Sequence, residues 1–353
     1  MPYPKIKIDL EKIRNNASAI VEKCKIKGIS VAGVTKAFSG NKEIGKAFIE
    51  AGVSYLADSR VENLKNYKDM DIEKMMLRLP MVSMAEEVVE YADISLNSEV
   101  YTIKALGKEA VKKGRDHKVI LMVDLGDLRE GYYKEDELSQ AVGEIINIKG
   151  INLVGLGANM TCYGGVIPSL ETFKRLEGIK IRLEEEYSIK LDIVSGGNSS
   201  SLHLLEDYDL PINNLRIGEA ILLGRETAFG RRVQGTQENA FSLQAEVIES
   251  KSKPSVPIGQ IGKNAFGKVP SFEDKGIRTR TICAIGQQDI AIDGLVAFDK
   301  DIIILGASSD HLILDTSDSA RAYKVGDIIE FGLTYSGILN LMTSKYISKS
   351  IIK

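Results

Sequence analysis

Short apolar segments alternate with longer segments of helical periodicity over the first two thirds of this chain. Eight of them read as strands between about residues 29 and 218: ISVAGVTK, SYLAD, MMLRLP, DISLNS, KVILMVDLG, INLVGLGAN, LDIVSG and NNLRIG. Strands that are almost continuously apolar and alternate with helices are typical of a parallel sheet covered on both faces. Eight such units predict a (β/α)8 barrel, with a doubly wound sheet as the alternative.

The pattern changes after about residue 235. Helical periodicity fades, and β-rich stretches such as FSLQAEVIES, RTRTICAIG and DHLILD follow, with glycine and proline between them. We therefore expect an α/β protein in which an N-terminal TIM barrel, residues 1–235, precedes a mostly β C-terminal domain, residues 236–353. The opening segment, residues 1–12, contains one more predicted strand and is a candidate to pair with the C-terminal domain.

Charge and cysteine content narrow the class of protein. Among 353 residues, 46 Lys and Arg stand against 49 Asp and Glu, and the two signs are interspersed. This balance argues against nucleic acid or a membrane surface as a partner, and no segment has the length of a membrane span. Three widely spaced cysteines suit reduced thiols. We expect a cytoplasmic protein and, with only three histidines, no metal site.

The first predicted strand ends in a lysine. The ends of the barrel strands are the places to look for chemistry, because (β/α)8 enzymes build their active sites there. Lys36 occupies such an end. Burying an ammonium group lowers its pKa, and a lowered pKa is what a Schiff-base lysine requires. A lysine whose stem packs while its amine reaches water is the alternative.

A second candidate site follows the seventh predicted strand. The segment SGGNSSS offers small residues, hydroxyls and backbone N–H groups that suit an anion, with an ordinary helix cap as the alternative. The eighth strand then supplies Arg216 and Gly218. A lysine after the first strand and a phosphate site after the last two indicate a phosphorylated aldehyde cofactor, pyridoxal 5'-phosphate (PLP).

Longer motifs resemble those of a known family, the fold-type III PLP-dependent alanine/ornithine racemases. They extend over essentially the whole chain and include VTKAF, VDLGDLREGYY, MTCYGGVIP, VSGGNSSSL, LRIGEAILLGRETAFG and ILGASSDHLILD. The resemblance is greatest to the branch that acts on ornithine. It implies a racemase that interconverts L- and D-ornithine, with lysine as the alternative amino-acid substrate, by a two-base proton transfer at Cα. It also implies a homodimer with shared active sites.

The resemblance assigns roles to individual residues. It makes Lys36 the Schiff-base lysine and one of the two bases. Arg216 matches the arginine beside the pyridine nitrogen, where a permanent cation keeps the ring neutral and favours returning a proton to Cα over transamination. Positions that hold the phosphate match Ser199, Gly218 and Tyr335. The full set expected at the cofactor is Lys36, Asn159, Asn198, Ser199, Arg216, Gly218 and Tyr335.

The chain departs from the alanine racemases at three positions. Gly40 replaces the tyrosine that lies four residues after the lysine, and Asn159 matches the histidine that stacks on the cofactor ring. The tyrosine that serves as the opposite base falls near Gln260-Ile261-Gly262, where there is no tyrosine. The second base must therefore come from elsewhere.

The segment GASSDH is the main candidate for the second base. Its spacing is similar to a segment of fold-type III ornithine decarboxylases in which a cysteine faces the lysine and an aspartate binds the distal ammonium. On that match Asp310 binds the substrate's δ-ammonium, and Ser309 takes the cysteine's place. His311 has the better intrinsic pKa for proton transfer. Tyr163 is a further candidate base, and a polar turn is the alternative interpretation of GASSDH.

Other interpretations stay open. Arg129 follows the fifth predicted strand, where it either meets the cofactor or the substrate carboxylate or forms a surface salt bridge. A PLP-dependent decarboxylase of a basic amino acid is a second possible function, which the missing cysteine and Arg216 oppose. A non-catalytic PLP-homeostasis binding protein is a third, which the C-terminal β domain opposes.

Overall fold

The computed structural model describes residues 2–264, 266–267 and 269–352. The chain divides into two compact units. Leu10–Glu238 form the larger unit, and the first nine residues together with the chain from Asn239 onward form the smaller one. A search of the described residues finds no helix with the length and apolar character needed to cross a membrane.

The larger unit is built on a closed parallel barrel, which confirms the predicted fold. Its strands are β2 (Ser30–Val34), β3 (Tyr55–Asp58), β4 (Glu73–Met76), β5 (Ile94–Asn97), β6 (His117–Met122), β7 (Ile151–Ala158), β8 (Ile193–Gly196) and β9 (Asn214–Ile217). Each strand pairs with the next one along the chain, and β9 pairs with β2 to close the ring. The carboxyl ends of all these strands therefore lie at one rim of the barrel, here called the mouth.

Helices precede and connect these strands. They are α1 (Leu10–Ile26), α2 (Lys42–Glu50), α3 (Val61–Lys65), α4 (Ala85–Tyr91), α5 (Val100–Lys112), α6 (Glu135–Ile145), α7 (Leu170–Tyr187) and α8 (Glu219–Leu223). Side-chain caps begin two of them: Asn41 accepts from two N–H groups of α2, and Ser169 accepts from one of α7. After β8 the connection is a short 3₁₀ helix over residues 199–204.

One predicted strand is displaced. The motif MMLRLP predicts a strand over 75–80, whereas β4 covers 73–76. The reason is the length of its neighbour: β3 pairs with β4 from Tyr55 opposite Glu73 to Asp58 opposite Met76, and β3 ends there. The rest of the apolar motif lies beyond the strand and runs into Pro80, which cannot donate to a ladder.

In its described residues the smaller unit is a mixed sheet with one α-helix, which confirms the prediction of a mostly β C-terminal domain. Strand β1 (Lys5–Asp9) pairs antiparallel with β10 (Phe241–Pro254) and parallel with β16 (Ser348–Ile352). Helix α9 (Tyr335–Thr343), which precedes β16, was not predicted. The other strands are β11 (Ile277–Cys283), β12 (Leu295–Ala297), β13 (Ile303–Ala307), β14 (Leu312–Asp315) and β15 (Ile328–Leu333).

A buried polar cluster lies between β5 and β6. His117 is fully buried, and its Nε2 lies 2.8 Å from Ser95 Oγ. Asn97 Nδ2 donates to the same hydroxyl, so the Ser95 proton is free to point at the imidazole. His117 Nδ1 is buried with no hydrogen-bond partner among the described residues. Burial, assisted by the charge of Arg115, lowers the pKa of His117 to about 4, so the folded protein keeps this imidazole neutral.

Acid is expected to destabilise the fold through this histidine. Because the folded pKa lies below the value of 6.5 in the unfolded chain, stability is lost as pH falls through 6.5 toward 4. Between pH 7 and pH 5 the wild type should lose about 2 kcal/mol of unfolding free energy more than His117→Gln. Urea unfolding at both pH values measures this, with His311→Gln as the control in an exposed turn. Equal losses in wild type and His117→Gln would contradict it.

Candidate active site

Lys36 lies at the mouth, in the first turn after β2, and begins a short 3₁₀ helix. The residue before it is fastened to the next strand, because Thr35 Oγ1 donates to Asp58 Oδ2 at 2.5 Å. Asp58 also accepts from the backbone N–H of Arg60 and from Asn63 Nδ2. Burial raises the pKa of Asp58 although these hydrogen bonds oppose the rise. The turn that carries Lys36 is therefore held to the end of β3.

The half-buried Lys36 side chain lies among ionisable groups. Cys162 is largely exposed to solvent. Partial burial of its thiol raises the pKa of Cys162, and the positive charges of Arg129 and Lys36 oppose that rise. Burial likewise raises the pKa of Glu219, again opposed by Lys36. The Lys36 amine is therefore close enough to a thiol and a carboxyl group to interact electrostatically with both.

The SGGNSSS segment after β8 presents hydroxyl groups beside the start of α8. Asn198 caps the 3₁₀ helix by accepting from the backbone N–H of Ser200 at 2.9 Å, so the predicted helix cap is present. Ser199 Oγ accepts from the backbone N–H of Ala220 at 3.1 Å. Ser200 Oγ is buried and has no hydrogen-bond partner in the described part of the chain. This hydroxyl is open to an additional polar group.

Gly218 brings the end of β9 close to β2. A Cβ atom at this position would lie 2.9 Å from Val34 Cβ and 3.3 Å from the Val34 carbonyl oxygen. Gly218 is predicted to lie at the phosphate. In the structure, the atoms that leave no room for a Cβ at this position belong to Val34 of β2. Since Val34 lies two residues before Lys36, the same close packing sets the lysine turn beside the start of α8.

Arg216 is a buried cation on β9, directly across from Ala32 of β2. Its Nη2 donates to the Ala158 carbonyl at 2.7 Å and to Asn159 Oδ1 at 2.6 Å, and its Nη1 donates to Ser195 Oγ. All these acceptors are neutral. Burial lowers the pKa of Arg216 to about 10, so the guanidinium stays protonated at neutral pH.

Acidic residues that could pair with Arg216 have other hydrogen-bond partners. Glu226 accepts from the backbone N–H groups of residues 228, 229 and 231 instead of pairing with the arginine. Glu130, which the sequence analysis did not single out, accepts from Asn159 Nδ2 and from both Nε and Nη2 of Arg129. Arg129 thus forms a salt bridge, which is one of the two interactions predicted for it. The sequence signal for this salt bridge is that Glu130 directly follows Arg129.

The loop after β7 carries Cys162 and Tyr163 and is organised around one carboxylate. Asp127 is buried and accepts from the backbone N–H groups of Cys162, Tyr163 and Val166 at 2.9–3.2 Å. Burial opposes its ionisation, but these hydrogen bonds hold the pKa of Asp127 below its usual value. Asn198 Nδ2 adds a contact to Cys162 Sγ at 3.3 Å. The sequence analysis also missed Asp127.

The remaining predicted site residues belong to the smaller unit. Ser309, Asp310 and His311 are exposed and lie in the turn that joins β13 to β14. Ser309 Oγ donates to Asp310 Oδ2 at 2.8 Å, and His311 Nδ1 lies 3.3 Å from Ser308 Oγ. The segment is thus a polar turn, as its alternative interpretation holds, but one whose side chains are accessible. Tyr335 is the first residue of α9.

Gly40 has a structural reason to differ from the tyrosine of the alanine racemases. Its φ is +62°, in the left-handed region, and a Cβ there would lie 2.8 Å from Asn63 Cβ. The lysine turn and α3 therefore meet at a position that holds no side chain. Any hydrogen bond that a tyrosine would make from this position must come from another residue.

The family of the chain follows from a comparison with known proteins. A family model described as "Alanine racemase, N-terminal domain" matches residues 8–226. The chain belongs to the alanine racemase family. This confirms the resemblance that the motifs of the sequence carry.

Relatives within the family cover the whole chain. An ornithine racemase from Acetoanaerobium sticklandii is 50% identical over 352 residues, which are 99% of this chain and 100% of that protein. A lysine racemase from Thermotoga maritima is 43% identical over 353 residues, 99% of this chain and 98% of that protein.

Solved alanine racemases share the fold at low sequence identity. The enzyme from a D-cycloserine-producing Streptomyces lavendulae has a TM-score of 0.76 at 16% identity and covers 100% of this chain and 98% of its own. The enzyme from Bartonella henselae, described with covalently bound pyridoxal phosphate, has a TM-score of 0.74 at 17% identity and covers 99% and 100%.

The residues at the mouth fit pyridoxal phosphate. Lys36 offers a primary amine. The unpartnered hydroxyl of Ser200 suits a phosphate oxygen, and Arg216 offers a protonated donor whose protein partners are all neutral. A buried cation with neutral partners is costly unless an anion or a strong acceptor joins it, and the cofactor carries both.

Proposed function

We propose that this protein is a PLP-dependent amino-acid racemase, an isomerase that interconverts L- and D-ornithine, with lysine as the alternative substrate. The observation that carries the proposal is the meeting of Lys36, Arg216 and the SGGNSSS segment at the barrel mouth. Identity of 50% over the full length to an ornithine racemase supports ornithine, and 43% to a lysine racemase supports lysine.

Each residue at the mouth has a separate proposed role in the reaction. Pyridoxal phosphate, when bound, supplies an aldehyde that captures the substrate's amino group and a ring that withdraws electrons from its Cα. Lys36 Nζ anchors the cofactor and moves the α-hydrogen on one face of the substrate. Arg216 would donate to the ring nitrogen as a permanent cation, which would limit electron withdrawal and favour return of a proton to Cα. Asn159 orients Arg216 by accepting a hydrogen bond from it. The positions that match the family's phosphate-binding residues, and that we propose bind the phosphate, are Asn198, Ser199, Gly218 and Tyr335.

Inversion requires a second proton-transfer group, because the new proton must arrive on the opposite face. We assign this role to His311, with Ser309 beside it. The contact with Ser308 Oγ engages Nδ1 of His311 and leaves Nε2 for the substrate. Because the family resemblance implies shared active sites, we propose a homodimer in which a second copy supplies these residues. Sedimentation of the purified protein as a monomer would contradict that arrangement.

Asp310 is proposed to bind the distal ammonium of ornithine. Its Oδ2 accepts from Ser309, so Oδ1 remains for a charge-assisted hydrogen bond. Asp310→Asn should therefore lower kcat/KM for ornithine about 10- to 100-fold and leave kcat/KM for alanine, which has no distal ammonium, unchanged. Asp301→Asn, which alters an exposed carboxylate before β13, is the control. An unchanged ratio of ornithine to alanine turnover would show that Asp310 does not read the ammonium.

Product analysis tests the function itself. L-Ornithine and D-ornithine are incubated separately with the PLP-loaded protein, and chiral chromatography follows both enantiomers. Both reactions should converge on equal amounts of the two forms without gas evolution. Carbon dioxide together with a diamine would instead establish a decarboxylase, and PLP binding without any turnover would establish a cofactor-binding protein.

We also propose that the enzyme acts in the cytoplasm. Its cysteines support this, because Cys24, Cys162 and Cys283 are all free thiols.

A further inference from the structure

Glu130 is connected to two arginines, Arg129 and Arg216. Its side chain is 13% exposed, against 39% for Arg129. One carboxylate oxygen, Oε2, accepts from Arg129 Nε, and the other, Oε1, accepts from Arg129 Nη2 at 2.5 Å. Oε1 accepts in addition from Asn159 Nδ2. A single carboxylate thus binds one arginine directly and, through an amide, contacts the residue that binds the other.

The Asn159 amide is oriented by opposite charges at its two ends. Its Nδ2 donates to Glu130, and its Oδ1 accepts from Arg216 Nη2 at 2.6 Å. Flipping the amide would place its NH₂ group against the guanidinium and its oxygen against the carboxylate, so both hydrogen bonds would be lost. The order Glu130, Asn159, Arg216 is therefore a directed hydrogen-bonded chain that ends on a buried cation.

Electrostatics support the same connection. Burial would raise the pKa of Glu130, but the hydrogen bond and charge of Arg129, the Asn159 contact and the charge of Arg216 hold it below its usual value. Burial lowers the pKa of Arg216, the charge of Glu130 opposes that fall, and the charge of Arg129 adds to it. The charge of Asp127 also raises the pKa of Arg129, and the charge of Lys36 lowers that of Cys162. Asp127 and Lys36 are therefore the other charged groups that influence this part of the site.

We propose that Glu130 is a positioning residue that sets the charge at the ring end of the cofactor site, because it holds Arg216 through Asn159 and restrains Arg129 directly. This inference rests on the proposed function, since it assumes that the cofactor ring lies at Arg216. Without the carboxylate, Arg129 loses its anion and Asn159 loses the partner that fixes the orientation of its amide. Arg216 then keeps its charge and its hydrogen bonds to Ala158 and Ser195, but its contact with Asn159 Oδ1 is no longer held in place.

The pH titration of the bound cofactor's visible absorption tests this proposal independently of turnover. Glu130→Gln removes the charge and keeps the size of the side chain. The midpoint of the titration should fall by about one pH unit, because a protonated cofactor linkage is less stable when a nearby negative charge is lost. Glu130→Asp keeps the charge, and its midpoint should stay near the wild-type value.

The matched control is Glu184→Gln, which alters a partly buried carboxylate near the end of α7. Glu184 pairs with Lys180 and accepts from the backbone N–H of Leu191. Because barrel helices run opposite to the strands, the end of α7 lies at the rim away from the mouth. This variant should leave the midpoint unchanged, so general loss of a buried carboxylate is separated from the effect at the mouth.

The outcomes are distinct. An unchanged midpoint in Glu130→Gln would overturn the proposal, as would an equal shift in Glu184→Gln. If Glu130→Gln does not fold, Asn159→Leu keeps both charges but removes the amide through which Glu130 holds Arg216. The midpoint should then move because Arg216 shifts relative to the ring, and an unaltered midpoint would overturn the positioning role. A wild-type protein that binds the cofactor but racemises nothing would contradict the proposed function alone, because the titration would still report on Glu130.

Discussion

Lys36→Arg is expected to lose racemisation by a factor of at least about 10⁴. Arginine preserves the positive charge that Cys162 and Glu219 experience at the mouth. A guanidinium, however, neither condenses with an aldehyde nor accepts a proton at neutral pH. The variant should therefore remain folded, lose covalent attachment of the cofactor and fail to move the α-hydrogen.

Two measurements separate these effects. Borohydride reduction followed by mass spectrometry should fix the cofactor to Lys36 in the wild type and leave Lys36→Arg unlabelled. Chiral chromatography then measures turnover of ornithine. Lys108→Arg, on the exposed face of α5, is the control for a lysine-to-arginine change and should behave as the wild type. Turnover by Lys36→Arg within tenfold of the wild type would refute the assigned role.

Arg216→Met is expected to affect both stability and chemistry. The guanidinium satisfies the Ala158 carbonyl, Asn159 Oδ1 and Ser195 Oγ, all of them buried. Removing it deprives each of these groups of one donor, although Ser195 Oγ still donates to Asn214 Oδ1. Each group that stays unsatisfied costs about 1–3 kcal/mol. We expect a loss of about 3 kcal/mol or more in the unfolding free energy of the cofactor-free protein. With the cation gone from the ring nitrogen, side reactions such as transamination should also rise relative to racemisation.

Urea unfolding measures the first effect and product analysis the second. Arg175→Met is the control, because Arg175 makes only a long, exposed ion pair with Glu135 and its loss should cost little. Arg216→Lys keeps a charge at the same position but cannot serve several acceptors at once, so it should recover part of the product ratio and little of the stability. Equal stability of Arg216→Met and wild type would mean that the buried network contributes nothing to the fold.

Strong local patterns made most of the barrel predictable. Most of its strands contain apolar runs, because both faces of a parallel barrel sheet are covered, although β4 begins with Glu73 and Lys74. The displacement of β4 shows where the pattern fails: the run MMLRLP continues past Met76, but the strand ends where β3 has no further residue to pair with. The residue at which a strand ends depends on the length of the neighbouring strand. The apolar pattern of a single segment therefore does not predict it.

The candidate site likewise contains residues that the sequence predicts and residues that it does not. Lys36, Arg216 and the serines of SGGNSSS could be proposed because the fold requires chemistry at the carboxyl ends of the strands. Asp127 and Glu130 act through contacts that a linear pattern does not display. Asp127 organises a loop that begins 35 residues later, and Glu130 has its effect through the side chain of Asn159. Gly218, although singled out, packs on β2 for a reason that only the closed barrel provides.

The most direct test of the account is incubation of the PLP-loaded protein with L-ornithine in deuterium oxide. Optical rotation and deuterium at Cα are followed together, with Lys36→Ala as the control. The account predicts that rotation decays to zero, that deuterium enters both enantiomers, and that both changes disappear in the variant. Retained rotation without deuterium uptake would contradict it, because no proton would then leave Cα at the site that Lys36 is proposed to serve.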